Sequence, residues 1–180
     1  TPMTRLTWLG HSTVLLETIL TRACALLGTP HGYIHIVEPD GTGLEVRHGS
    51  GAFAPFVGDH LELDEGVGGR VLGTGLPFAI DDYDGFETRA RGVPMGVLGA
   101  VVGVPLNAGD EVVGVIGLAS GASGRPFRAR EIDALSRFAQ LASIVLDNAR
   151  LVDDAQRGAL YDPATGLPNR ELLTDRIAHA

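Results

Sequence analysis

Arg89 and Arg91, separated by one alanine, are the residues of this chain whose type and spacing first suggest chemistry. Two guanidinium groups that close can grip an anion through paired N–H donors. Six histidines offer a second possibility, metal binding or proton transfer. A zinc site needs its ligands gathered in a cluster, and His31, His35, His48 and His60 are strung out without that spacing. The one cysteine, Cys24, lies among Ala23, Ala25 and Leu26, a pattern that predicts a buried, inert thiol. A single cysteine excludes disulfide chemistry within the chain. What remains on offer is binding.

Residues that bind must be positioned, and the apolar pattern predicts by what. Val14, Leu15, Ile19, Ala23, Leu26 and Leu27 recur at helical spacing, predicting a helix over 13–27 that stops at Gly28-Thr29-Pro30. Strands are expected at 33–37 and 44–48 around the turn Pro39-Asp40-Gly41, with a short alternating piece at 61–63. One or two helical turns fit the glycine-crowded stretch 66–75, then a strand at 77–80 and the acidic loop Asp81 to Gly85. Leu98 to Leu106 and Glu111 to Ala119 flank Asn107-Ala108-Gly109-Asp110 as a hairpin. Both runs are apolar throughout, so both faces of these strands should be covered. From Phe127 a helix is expected to about Ala159, roughly 50 Å at the usual rise. Its heptad-like seam, Leu135, Phe138, Ala142, Val145, Ala149 and Val152, predicts a homodimer.

At 180 residues the chain accommodates one ordinary domain with appendages, and 44% hydrophobic content with 20% charge is a globular composition. No apolar run approaches the ~18 to 20 residues of a membrane span, and no secretory leader is evident, so a cytoplasmic location is expected. A net charge of −8 with dispersed arginines argues against nucleic acid, which requires a clustered positive face. All the basic residues are arginine, which reads as the composition of a GC-rich bacterial genome.

Several pieces, taken together in order, resemble a GAF domain. They are Cys24-Ala25-Leu26-Leu27-Gly28 leading to Gly32-Tyr33; Gly66-Val67-Gly68-Gly69-Arg70-Val71 with Gly75-Leu76-Pro77; Asp81-Asp82-Tyr83; Val104-Pro105-Leu106 before Val113-Gly114-Val115-Ile116-Gly117; and Phe138-Ala139 to Asn148-Ala149-Arg150-Leu151. The resemblance implies an α+β fold: a central antiparallel sheet, helices on one face and a long C-terminal signalling helix. One departure is Arg128, where many relatives have a Ser or Thr cap; Glu131 in the first helical turn is expected to compensate. Further on, Asp162-Pro163-Ala164-Thr165-Gly166-Leu167-Pro168-Asn169-Arg170 resembles the opening of GGDEF domains, the diguanylate cyclase output modules of bacterial signalling. The expected organisation is a leader or helix extension at 1–12, a GAF sensor at 13–151, a linker helix at 152–160 and the start of a GGDEF domain at 161–180. The metal and guanine contacts of that family lie beyond Ala180, so the resemblance implies no catalysis by this chain. Met3 to Thr13 resembles the first strand of some metallo-β-lactamase-fold hydrolases, but the scattered histidines do not supply that fold's zinc ligands.

The GAF resemblance implies a pocket between the sheet and the segments around 66–70 and 81–95. Arg70, Asp82, Tyr83, Arg89, Arg91 and Met95 are then candidate ligand contacts, and His35 on the first strand faces either that pocket or the helix layer. No haem is expected, since the loop 86–95 carries no histidine to serve as an axial ligand, and no bilin, since Cys24 is on the first helix. The sulfoxide reductases on this fold use several cysteines, and the cyclic-nucleotide binders need a lysine that this chain lacks. The implied function is sensing of a small molecule and dimerisation, in control of a cyclic-di-GMP output domain in the same chain. The alternative is a fragment of a diguanylate cyclase or phosphodiesterase in which this domain is only a dimerisation scaffold, its pocket plugged by Tyr83, Phe86 and Met95.

Overall fold

The computed structural model describes residues 9–160. Ten elements follow one another: α1 (Leu9–Leu27), β1 (His31–Val37), β2 (Gly43–Ser50), a 3-10 helix (Gly51–Phe56), β3 (His60–Glu62), α2 (Gly66–Thr74), β4 (Phe78–Ile80), β5 (Leu98–Ala108), β6 (Glu111–Gly121) and α3 (Ala129–Leu160). The strands form one sheet in the order β3-β2-β1-β6-β5-β4. Every neighbouring pair is antiparallel. This is the α+β architecture that the resemblance to GAF domains implied. The 3-10 helix, with Pro55 inside it, is the one element without a counterpart in the periodicity.

The two long helices share one face of the sheet. Leu16, Ile19, Leu20, Ala23 and Cys24 of α1, at i, i+3, i+4, i+7 and i+8, meet Leu135, Ala139, Ala142 and Leu146 of α3 over Ile34, Ile36, Val102, Val104, Leu106, Ile116 and Leu118. The opposite face is covered by α2, the 3-10 helix and the loop 81–97, over Tyr33, Val101, Val115 and Ala119. Both faces of β5 and β6 are thus buried, which is why their sequences are apolar throughout.

The α3 seam needs correction. Leu135 and Ala142 are fully buried against the chain's own sheet and α1, and Phe138 and Val145 pack beside them. A core-facing helix repeats apolar residues at nearly the period of a coiled coil, so the heptad pattern read as a dimer seam records packing within the protomer. Ala149 is half-buried, and Val152 is exposed with Leu141, Ile144 and Leu151 on the outer side. At the start of α3, Glu131 does replace the missing cap: its Oε2 accepts from the Arg128 backbone N–H at 2.7 Å. Its two oxygens also take a bidentate grip from Arg125 at 2.6 and 2.8 Å. The Arg125 guanidinium, above all, and the Arg128 amide lower the Glu131 carboxyl to about 2. No described helix is long and apolar enough to cross a membrane. The stretches 1–8 and 161–180, including the string Asp162 to Arg170, lie outside the described residues.

Candidate ligand-binding site

A β-bulge shapes the site. Ile34 pairs with His48, but the next residue, His35, pairs with Val46, so Arg47 is an extra residue on β2. The insertion returns Val46 to the loop side of the sheet beside His35, while His48 stays on the side of Ile34. The Arg47 guanidinium folds back to Glu45 Oε2 at 2.8 Å.

Between this part of the sheet and its cover lies a cavity of about 230 Å³. Its wall is largely ring: Tyr33, His35, Phe53, Phe56 and Tyr83, filled out by Val46, Val67, Val93 and Val101. Tyr33 stacks on His35 with centroids 4.4 Å apart and packs against Phe53 at 4.9 Å. Tyr33 can lie this close to the sheet because its cross-strand partner is Gly117; a Cβ there would fall 2.1 Å from its ring. The Tyr33 hydroxyl is 3.5 Å from the Val102 carbonyl, and burial pushes its phenol well above the usual range. Burial also holds His35 neutral, lowering its imidazole to about 3, and Nδ1 has no hydrogen-bond partner. Polar groups gather at the mouth, where Asp59, His60, Glu65 and Arg91 line the opening. There Glu65 Oε1 accepts from the Arg91 backbone N–H at 2.6 Å, tying the loop to the start of α2. His60 Nδ1 lies 2.9 Å from Glu38 Oε2, and that hydrogen bond raises its pKa.

Of the residues singled out from the sequence, His35, Tyr83 and Arg91 come together around this cavity. Arg70, Asp82, Arg89 and Met95 do not line it. Arg70 is exposed and lies over the Phe78 ring. Asp82 Oδ1 accepts from the Gly85 backbone N–H at 3.3 Å, a turn contact. Arg89 holds the loop together: its guanidinium donates to the Val93 carbonyl at 2.5 Å and lies 3.8 Å from Asp84. Arg89 and Arg91 therefore do not converge as an anion clamp. Met95 points to solvent. Tyr83, one of the three expected plugs, is fixed by the Ala90 N–H donating to its hydroxyl at 2.9 Å, with Phe86, the second, packed beside it.

Val46, Phe53, Phe56, Asp59, His60 and Glu65 were not singled out. The signal for Phe53 and Phe56 was present: two aromatics within Gly51-Ala52-Phe53-Ala54-Pro55-Phe56, a stretch too polar in its punctuation for a strand yet too aromatic for a solvated loop. Nothing in the sequence marks the bulge. Among the described residues no group of three histidine, cysteine or acidic side chains is arranged to hold a metal ion.

The sequence matches the family model described as GAF domain over residues 12–147. No curated protein matches it. Among solved structures it is similar to the GAF-B domain of DevS from Mycobacterium smegmatis, at 21% identity and TM-score 0.64, with 81% of this chain and 98% of that one covered. The GAF domain of an Acinetobacter phosphoenolpyruvate-protein phosphotransferase superposes at TM-score 0.68 with 18% identity, covering 78% of this chain and 84% of that one. Free methionine-R-sulfoxide reductase from Neisseria meningitidis, solved with its substrate, gives TM-score 0.64 at 16% identity, covering 78% and 80%. At such identities the likeness is one of fold.

Proposed function

The chain belongs to the GAF-domain family, and on that premise we propose that it is the small-molecule sensor of a bacterial signalling protein, regulating a GGDEF-type output that handles cyclic-di-GMP. The observation that carries the sensing half is the cavity: ring-walled, about 230 Å³, and built around a buried imidazole with no partner of its own. Sites for small ligands have this character, mostly apolar with few polar anchors. The output half rests on the string Asp162 to Arg170, which follows α3 in the sequence. A route between them exists in β1, whose alternate residues touch both layers: Tyr33 and His35 on the cavity side, Ile34 and Ile36 on the side of α1 and α3. A ligand that shifts β1 moves the packing under a rigid helix.

The chain itself is regulatory and makes no cyclic-di-GMP from GTP and magnesium. It dimerises through the outer side of the helix layer, where Leu141 and Ile144 are exposed, and works in the cytoplasm without haem or bilin. A metabolite screen by thermal shift tests the sensing half, with native mass spectrometry for retained ligand and oligomeric state. A hit lost on filling the cavity with Val46→Phe supports it. A protein carrying this chain with an intact output domain must then change its cyclic-di-GMP synthesis when that ligand is added.

A second reading has one observation in its favour. Tyr33 occupies the centre of the sheet's loop side, so part of the expected pocket is already filled by the protein. If the domain is only a dimerisation scaffold, no ligand stabilises it and output does not respond.

A further inference from the structure

Building on the sensing role above, the geometry points to a ligand class: we propose that His35 is the cavity's hydrogen-bond donor, through Nε2, to the carbonyl-type oxygen of a small uncharged ring compound. Several independent observations lead there.

The first concerns the imidazole. His35 is only 8% exposed, its ring forms part of the cavity wall, and Nδ1 is buried without a partner. Nδ1 is pressed against the first turn of α2; a Cβ built on Gly68 would lie 2.6 Å from it. That leaves Nε2 as the nitrogen able to meet an occupant. Which nitrogen carries the proton follows from the surroundings. The first turn of a helix presents the positive end of its dipole, and Glu65 makes no side-chain cap bond to the α2 amides. A lone pair on Nδ1 suits that field and a proton there does not. The neutral tautomer therefore carries its hydrogen on Nε2, as a donor directed to the cavity.

The second concerns charge. The charged lining residues Asp59, His60 and Arg91 are exposed, and Glu65 is half-buried with its carboxylate on the Arg91 amide, whereas the residues placed beside His35 are Tyr33, Val46, Val115 and Gly68. A carboxylate or ammonium group placed beside His35 would be desolvated with no counter-ion, at a cost of several kcal/mol. An uncharged acceptor instead completes a hydrogen bond that the protein leaves open.

The third concerns size and shape. A dry cavity of about 150 Å³ holds benzene, so 230 Å³ admits one ring with a short substituent. The stacked Tyr33 and His35 rings with Phe53 offer flat surfaces to a flat ligand.

Four probes test this on the 180-residue chain by NMR titration: acetophenone, the nearly isosteric α-methylstyrene that lacks the oxygen, benzoate and benzylammonium. Acetophenone should bind about tenfold more tightly than α-methylstyrene, the contribution of one hydrogen bond, and the two ions should bind more weakly than either. The preference should vanish in His35→Leu and persist in His35→Gln, which keeps a donor. Independently of any variant, the His35 Nε2 nitrogen resonance should shift with acetophenone and not with α-methylstyrene. Equal binding of the isosteric pair, tighter binding of either ion, an unmoved Nε2 signal or a preference that survives in His35→Leu each overturns the proposal while leaving the cavity as a ligand site. If none of the four binds, the proposal falls together with the sensing function.

Discussion

The two faces of the sheet are built by different means. On the helix side, sixteen buried residues, nearly all aliphatic, interlock between two long helices and three strands; within that cluster only the Cys24 thiol breaks the hydrocarbon, and the buried His48 lies on the same side. On the loop side the covering is a nine-residue helix, a 3-10 turn and a loop without regular structure, and the packing is by rings. That side contains the cavity and the buried His35, whose Nδ1 has no hydrogen-bond partner. Close packing of aliphatic side chains leaves no voids and resists change. Rings joined by a loop leave gaps that another molecule can fill. One face holds the sheet together, and the other is free to respond.

The sharpest way to break that comparison is to truncate equally on both sides. Leu146→Ala, at a fully buried position on α3, should destabilise the fold by about 3 kcal/mol in urea melts. Its neighbours cannot collapse into the space. A loss below about 1 kcal/mol would mean that the helix side is as loosely packed as the other.

Acid should strike the loop side next. His35 is held neutral down to about 3 in the folded chain, whereas an unfolded histidine takes up a proton near 6.5. Between those values the unfolded state binds the extra proton, so stability falls as pH drops. From pH 7 to 5 the loss attributable to His35 is about 2 kcal/mol, read as the difference between wild type and His35→Gln. His48, also lowered by burial, adds in the same direction and is retained in both proteins. A wild type no more acid-sensitive than the variant would place His35 in contact with water.

These contrasts also explain what the sequence made legible. The helix side was readable because its residues repeat: α1 and α3 present apolar side chains at helical spacing, and β5 and β6 alternate between two buried layers. The cavity was not, because a loop has no period. Arg89 and Arg91 are neighbours in sequence, yet one holds Val93 and Asp84 while the other lines the mouth. His35 could be placed on β1 but not on a face, since the bulge at Arg47 that sets its company has no sequence signature. Even the legible side misled at Leu135 and Ala142, where one periodicity serves equally for a core and for a coiled coil.

A third variant sharpens the difference within the loop side. Phe56 is half-buried, borders the cavity and packs on two clusters. Phe56→Ala should cost about 1 kcal/mol, well below the usual aromatic truncation in a core, because its inner surface already faces a void. The same change should weaken any cavity ligand more than it weakens the fold. A loss as large as that of Leu146→Ala would show Phe56 to be a core residue, and the cavity too small to matter.

The smallest effect on folding is expected outside both cores, and it bears on assembly. Leu141 and Ile144 are 54% and 57% exposed on the outer side of α3, each two residues from a buried position, Ala139 and Leu146 respectively, and so on the far side of the helix from the rows that grip the sheet. The near side of the helix is committed to the protomer, so only the outer side is available to a second copy. Ile144→Glu places a charge there without touching the interior and should change the melt by no more than about 0.5 kcal/mol per protomer. Sedimentation should nevertheless shift from dimer to monomer, because a desolvated carboxylate in an apolar contact is far costlier than one in water. Leu135→Glu should instead unfold the chain, since that position has no exposed surface. A dimer that survives Ile144→Glu would move the contact to the exposed apolar residues of α1, Val14 and Leu15. In that case the helix side would carry two surfaces of unequal use, and the route from cavity to output would run through β1 and α1 before it reached α3.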